Sequence, residues 1–279
     1  MKVGKIFVPN CSGQMCNKLI YFVHALATAF DCKRDLVYFF GEDAHRFSDL
    51  HPEALDEVNV HCFNWRRSKI VDGICGWLEG HIHPDRDGFA ATCPGLVRRF
   101  RDRSCAWPIV LWDWYFRNHE GVARHRERIF SYLRAKDVFV ARAKDIISKA
   151  HETADIVVGV HIRRGDYKEA FDGKYYYSDE EYLRFMREFE KSSGKRVRFV
   201  VVSNEPVNCE FFQANGVSVV NASASAPEDV VTLSECDYIM GPRSTFSRFA
   251  AFYGNKPICW ILDRAQRIDI AEFKVLERL

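Results

Sequence analysis

Two periods of apolar and polar positions run along this chain, and they mark its elements. In the second half, short uninterrupted apolar runs are separated by stretches of helical spacing, the pattern of βαβ units on a parallel sheet. The run Ile156 to Ile162 is apolar on both faces and predicts a central strand. Ser178 with Glu181 three residues later forms a capping box that opens a helix over Asp179 to Lys191, closed by Ser192-Ser193-Gly194. A strand is expected at Val197 to Val202, followed by Ser203-Asn204-Glu205-Pro206 and a short helix ending at Asn215-Gly216. Then come a strand at Val217 to Val220 and the loop Ala222 to Pro227, whose small residues predict mobility. A helix over Glu228 to Glu235, a strand at Tyr238 to Met240, a helix over Ser244 to Tyr253 and a strand over Pro257 to Leu262 complete this half.

The first half is patterned less cleanly. Ile6-Phe7-Val8 predicts a strand, Met15 to Phe30 an amphipathic helix and Leu36 to Phe40 a second buried strand. From Asn64 to Pro108 the pattern dissolves into Trp, Gly, His and Arg, the composition of loops and short helices, and Arg124 to Lys149 is helical in composition and joins the halves. The expected fold class is α/β with two Rossmann-like halves, divided near residue 140 into 1–140 and 141–279. A length of 279 residues fits two domains of about 150 residues each.

Charge excludes more than it suggests. The formal net charge is +2, too small to recruit nucleic acid through bulk attraction. Two arginine clusters, Arg98, Arg99, Arg101 and Arg103, and Arg124, Arg126 and Arg128 with His125, are diluted by Asp102 and Glu127 and read mainly as solvated surface. Their alternative is contact with anionic lipid, as at a membrane surface, or with a phosphorylated carrier. The 10 cysteines are scattered without a Cys-x-x-Cys pair, and Cys259 lies in an apolar stretch, as a reduced, buried thiol does. No basic segment leads into an apolar core at the start and no apolar run approaches the roughly 18 residues of a membrane span, so a cytoplasmic location is expected. The glycosylation triplets Asn10-Cys11-Ser12 and Asn221-Ala222-Ser223 would then go unused.

The candidate chemistry begins where the strand ends. His161-Ile162-Arg163-Arg164-Gly165-Asp166-Tyr167 places a burst of charge at the carboxyl end of a buried strand, which is where parallel sheets hold ligands. Arginines suit phosphate oxygens, yet strand neighbours point to opposite sides, so Arg163 and Arg164 do not both face one ligand. On that ground Arg164 has the alternative of bracing Asp166 or a helix. Ser244-Thr245-Phe246-Ser247 opens a helix after a strand, so its hydroxyls and free N–H groups suit an anion, or cap the helix and nothing more.

The heptapeptide His161 to Tyr167 resembles the His-x-Arg-x-Gly-Asp-Tyr motif of α1,2-fucosyltransferases, glycosyltransferase family eleven. Val202-Ser203-Asn204-Glu205-Pro206 is similar to that family's Ser-Asn/Asp-Asp segment. Ser244-Thr245-Phe246-Ser247 with Phe249-Ala250-Ala251 resembles its Asn-Ser-Ser/Thr-Phe-Ser-Trp-Trp-Ala/Gly-Ala, and Gly13-Gln14-Met15-Cys16-Asn17-Lys18-Leu19 resembles its Gly-x-x-Gly-Asn-Gln-Leu/Met opening. The resemblance implies a GT-B fold, an acceptor-side N-terminal half and a C-terminal half that binds GDP-fucose. It implies inverting, metal-independent transfer of fucose, without a cofactor, to a glycan hydroxyl such as the 2-OH of a galactose-type residue.

Negative charge grows on the departing diphosphate in that reaction, and cations must meet it. The resemblance places Arg163 on the phosphates, with His161, Arg164, Ser203, Asn204, Arg243, Ser244, Thr245 and Ser247 around the donor, and Gly13 and Asn17 at the cleft. Arg163, Asp166 and Glu169 are the catalytic candidates, and Asp172 is a further candidate base. Departures from the family pattern are Cys16 for Gly, Asn204 for an acid, Pro242-Arg243 on the Asn side and Arg248-Phe249 for the paired Trp. His81-Ile82-His83-Pro84-Asp85 has metal-ligand spacing but no evident third ligand nearby, and Trp112 to Phe116 would line a sugar-stacking wall or the core. Two rival readings are a GDP-sugar binder without transfer and an adhesion protein displaying Arg164-Gly165-Asp166.

Overall fold

The computed structural model describes residues 5–8, 13–39, 41–63, 109–111 and 116–279. The His81 to Asp85 segment, the Arg98 to Arg103 cluster, Trp112 to Tyr115, the Asn10 triplet and Cys11, Cys75, Cys93 and Cys105 lie outside them. The chain forms two compact units, 1–135 with Arg278–Leu279, and Lys136–Glu277. The division thus falls before the expected residue 140, because the helix over Asp137–His151 packs against a helix of the second unit. The last two residues leave the second unit for the first.

In the first unit, β1 (Ile6–Val8), α1 (Met15–Cys32), β2 (Leu36–Tyr38), α2 (Gly41–Phe47), β3 (Val60–Cys62), β4 (Ile109–Val110), α3 (His119–Arg124) and α4 (Arg126–Tyr132) follow in chain order. All strand pairs are parallel, in the order β3-β2-β1-β4. The sequence pattern missed α2, β3 and β4, which are short or weakly apolar. Helix α1 is buried along most of its length, so it is a core helix rather than a surface one. Its buried polar groups are matched across the unit. The Asn118 N–H donates to His24 Nδ1 at 3.0 Å, and its side-chain amide donates to Thr28 Oγ1 at 3.1 Å and Asp31 at 3.0 Å. Asn118 Oδ1 accepts the Gly121 N–H at 2.9 Å and so caps α3. Burial pushes the His24 imidazole down to about 3, so the ring is neutral.

The second unit contains α5 (Asp137–His151), β5 (Ile156–Ile162), α6 (Asp179–Ser193), β6 (Val197–Ser203), α7 (Cys209–Ala214), β7 (Val219–Asn221), α8 (Ala226–Glu235), β8 (Tyr238–Pro242), α9 (Thr245–Gly254) and β9 (Ile258–Ile261). Its parallel sheet runs β7-β6-β5-β8-β9, so the strand order reverses between β5 and β8. Val158, Val160 and Ile162 pack with Tyr182, Phe185 and Phe189 of α6 in one core cluster. The opposite face lies under α8, where a Cβ on Gly159 would meet Leu233 Cδ2 at 2.8 Å and Cys236 Sγ at 3.0 Å. The Ser178–Glu181 capping box opens α6 as expected.

A second box, Ser225 with Glu228, starts α8 at Ala226, before the expected Glu228. The loop before it is not slack. Ser223 Oγ accepts the Ser203 N–H at 2.9 Å, Asp229 accepts the Ala224 N–H at 2.7 Å, and Arg142 donates to the Ala222 carbonyl at 2.9 Å. Two of these partners, Ser203 and Arg142, are remote in sequence, which is why local composition suggested mobility. Among the described residues Cys16, Cys32, Cys62, Cys209, Cys236 and Cys259 are unbridged. None of the described helices is long and apolar enough to cross a membrane.

Helices α8 and α9 meet at a point where only glycine fits, since a Cβ on Gly254 would lie 2.2 Å from the Ser234 carbonyl oxygen. The clash is with backbone, so a helix must move. Gly254→Ala is expected to destabilise the protein by about 1 to 3 kcal/mol, read from urea denaturation midpoints; an unchanged midpoint would refute this close packing.

Candidate functional site

Strand β5 alternates its side chains between the α6 face and the α8 face, and this alternation continues into the charged loop. Arg164 falls on the α6 side, where its guanidinium pairs with Asp179 in the first turn of α6. It is mostly buried there, with 13% of the side chain exposed. Of the two readings of Arg164, the structure therefore selects the helix brace; its backbone, too, is held. Asn204 Oδ1 accepts the Arg164 N–H at 2.9 Å, and Asn204 Nδ2 donates to the Arg164 carbonyl at 3.2 Å. Asn204, expected at the ligand, has both ends of its amide engaged in clasping the loop after the neighbouring strand.

Gly165 follows with φ +62°, and a Cβ there would sit 2.9 Å from Asn204 Nδ2. The turn and the clasp together admit only glycine. Arg163 falls on the other side, with Asp166 at 2.9 Å and the Tyr167 ring centroid 5.6 Å from its guanidinium carbon. Within Arg164-Gly165-Asp166, the arginine is thus engaged by Asp179 and the acid by Arg163.

The next wall comes from β8 and α9. The register Val160↔Met240 carries Gly241 alongside His161, where a Cβ would approach the His161 carbonyl to 2.7 Å. Tyr167 reaches across to donate its hydroxyl to the Arg243 carbonyl at 3.0 Å, joining the loop after β5 to the loop after β8. Ser244 caps α9, its Oγ accepting the Phe246 N–H at 3.1 Å, and Thr245 is the first helical residue. His161 lies with its ring centroid 4.9 Å from that of Phe246. Burial, then the Arg163 charge, pushes its imidazole down to about 3, so it is a neutral group. Its Nδ1 is buried without a hydrogen-bond partner among the described residues.

Not every expected residue gathers here. Ser247 is fully buried, its Oγ without a partner among the described residues, so its side chain belongs to the packed face of α9. Ser203 accepts the Glu205 N–H at 3.1 Å and shapes its own turn. Glu169 is exposed beyond the turn Gly165–Lys168, and Asp172 takes a left-handed conformation with φ +55°. In the first unit Gly13, at φ +89°, leaves room for Asn17, whose Nδ2 would lie 2.1 Å from an added Cβ. Asn17 Oδ1 is buried without a hydrogen-bond partner among the described residues. Cys16, in the position of the family's Gly, is buried, and its thiol is pushed strongly upward, so it is inert as a nucleophile.

Sequence reasoning missed Asp179, the Phe246 stack and the Tyr167 clasp. Asp179 was legible as a first-turn acid, but its partner was not. At the reversal of strand order the carboxyl ends of β5 and β8 thus carry Arg163, with Asp166 as its partner, and Arg243, whose carbonyl accepts the Tyr167 hydroxyl beside the start of α9. Such a place suits an anionic ligand, because the helix N-terminus and the guanidinium groups add their charge. Among the described residues no three His, Cys, Asp or Glu side chains come together as a metal site.

Solved structures and one family model are similar to this chain. Among solved structures, POFUT1 in complex with GDP is similar with a TM-score of 0.59 at 14% identity, covering 93% of this chain and 98% of that one. The fucosyltransferase NodZ from Bradyrhizobium has a TM-score of 0.57 at 15% identity, covering 92% and 95%. NodZ described as an alpha-1,6-fucosyltransferase and co-crystallised with GDP gives 0.57 at 16%, covering 92% and 94%. At these identities the likeness establishes the fold, which is of the GT-B type with parallel sheets. No curated protein matches the chain. The model of glycosyl transferase family 11 matches residues 122–266, which takes in the reversal of strand order and both of its loops. Spanning more than half of the chain, that match shows that the protein belongs to glycosyl transferase family 11, a family of fucosyltransferases.

Proposed function

We propose that the protein transfers L-fucose from GDP-fucose to a hydroxyl of a glycan acceptor, the 2-OH of a galactose-type residue, with inversion at the sugar carbon. The observation that carries the reading is Arg163, held by Asp166 at 2.9 Å at the carboxyl end of β5 and beside the mouth of α9. The diphosphate gains charge as the glycosidic bond breaks, and a preorganised guanidinium stabilises that charge without reorganising. Solved relatives in complex with GDP-fucose support this donor class.

In this reading Asp166 positions Arg163. The Glu169 carboxylate, exposed beyond the turn that follows β5, stands as the general base. Neutral His161 donates or accepts a single bond at the nucleotide and adds no charge. Gly13 and Asn17 serve the other substrate. Guanidinium groups and a helix N-terminus supply the positive charge, so we propose transfer without a bound metal.

Arg163→Ala should lower the turnover of GDP-fucose by about 10² to 10³, the usual cost of removing one preorganised stabiliser of developing charge. Released GDP, measured against a panel of glycans with and without EDTA, checks this. Wild-type-like turnover in the variant would refute the role of Arg163, loss of turnover in EDTA would refute the metal-free mechanism, and GDP binding without turnover on any acceptor would favour a sugar-nucleotide binder.

His161 makes a separate prediction. Its folded pKa, about 3, lies below the usual 6.5, so the unfolded chain binds the proton more tightly. Stability is therefore present above pH 6.5 and falls as the pH drops from 6.5 toward about 3. Its imidazole nitrogen resonances are expected to keep the neutral pattern from pH 8 down to about 4; a midpoint between pH 6 and 7 would show that the ring is not buried as described.

A further inference from the structure

Ile162 is in register with Ser203, so Asn204 is the first residue beyond the last pair of the β5–β6 ladder and lies beside the loop after β5. The turn that carries it is fixed. The Ser203 N–H donates to Ser223 Oγ at 2.9 Å, and the Glu205 N–H donates to Ser203 Oγ at 3.1 Å. From this turn Asn204 Oδ1 accepts the Arg164 N–H at 2.9 Å and Nδ2 donates to the Arg164 carbonyl at 3.2 Å, which continues the pairing of the two strands with a side chain in place of backbone. Gly165 gives the amide its seat, since a Cβ there would lie 2.9 Å from Nδ2. The Arg164 guanidinium is paired with Asp179, and Tyr182 donates to the His161 carbonyl at 3.4 Å. The stretch from His161 to Arg164 is thus anchored at both ends, with Arg163 between the anchors.

We propose that Asn204 is a positioning residue for Arg163, acting on the transfer reaction through the Arg164 backbone, and that it does not read the nucleobase of the donor. The proposal rests on the transferase reading for the role of Arg163. A carboxylate in this place, as in the family pattern, could accept the guanine N1–H and 2-amino groups, but it could not donate to the Arg164 carbonyl. The amide has the opposite character: turning toward a base edge would break one or both of its bonds to Arg164. Those bonds fix the residue next to Arg163, and a charge-stabilising group displaced by about 1 Å loses on the order of 10²-fold in rate.

Turnover of GDP-fucose by wild type, N204A and N204D, with calorimetric titration of GDP and inosine diphosphate, tests this role. Asn204 is exposed, so folded variants are available for the comparison. N204A should lower kcat by about ten- to a hundredfold and change the KM for GDP-fucose by less than about threefold. N204D keeps the acceptor and loses the donor, so its kcat should fall between the two. The ratio of the dissociation constants for GDP and inosine diphosphate, which reads the guanine 2-amino group, should stay within about threefold of wild type in both variants. Amide exchange followed by mass spectrometry should quicken over 163–168 in N204A and stay unchanged in α6. A raised KM with wild-type kcat, a tenfold shift of the nucleotide ratio, or unchanged exchange over 163–168 overturns the proposal. Should wild type transfer fucose to no acceptor, the transferase reading fails, and amide exchange decides the clamp alone: faster exchange in N204A upholds it, and unchanged exchange overturns it.

Discussion

The reversal of strand order between β5 and β8 is the constraint on which the ligand-facing end of this protein depends. Strand β5 is bonded on both sides, to β6 over its whole length and to β8 over its middle, so its end cannot shift to suit a loop. The connections that leave β5 and β8 cross to opposite sides of the sheet, and the Tyr167 hydroxyl bonded to the Arg243 carbonyl joins the two loops. Everything charged in the second unit's candidate site is attached to one of those two ends. Gly241 is the narrowest point of this arrangement, since any side chain there would strike the His161 carbonyl.

With the strand fixed, the loop after it is held by bonds that leave one side free. Asn204 takes both polar groups of the Arg164 backbone, Asp179 takes the Arg164 guanidinium, and Tyr182 donates to the His161 carbonyl at 3.4 Å. All of these lie on the α6 side or toward β6. Arg163, turned the other way by the alternation of the strand, keeps its most exposed neighbour, Asp166, as partner. The loop is therefore held where it meets the protein, and its other guanidinium is fixed by Asp166. Such preorganisation is what electrostatic catalysis requires, because a cation that must reorganise during the reaction stabilises less.

The elements of the second unit were legible in the sequence because each is announced locally. Apolar runs marked β5 and β6, a capping box marked α6, and Asn215-Gly216 marked the end of α7. What could not be read was anything decided by pairing at a distance. Ile162 is in register with Ser203, so the residue after β6 comes to lie beside the loop after β5, and Asn204 becomes a clasp. Composition alone gave it hydrogen-bonding groups and no address. The same holds for Ser247, whose hydroxyl looked available until the packing of α9 placed it inside, and for the loop Ala222 to Ser225, whose anchors are Ser203, Asp229 and Arg142. In the first unit the strands are short and their order in the sheet is non-sequential, so periodicity had little to work with.

The departures from the family pattern make sense together when read through this clasp and this helix start. An acid in place of Asn204 could accept the Arg164 N–H but could not donate to the Arg164 carbonyl, so the amide suits a loop that is bonded at both groups. It leaves the site without a carboxylate there. Arg243 then stands on the Asn side of the family motif and Arg248 in place of a Trp, so each adds a cation near the start of α9. Both exchanges shift the same quantity in the same direction, making the sheet end more positive. A sheet end built this way gains most from a ligand whose charge is concentrated and grows during reaction, and gains least from a neutral sugar.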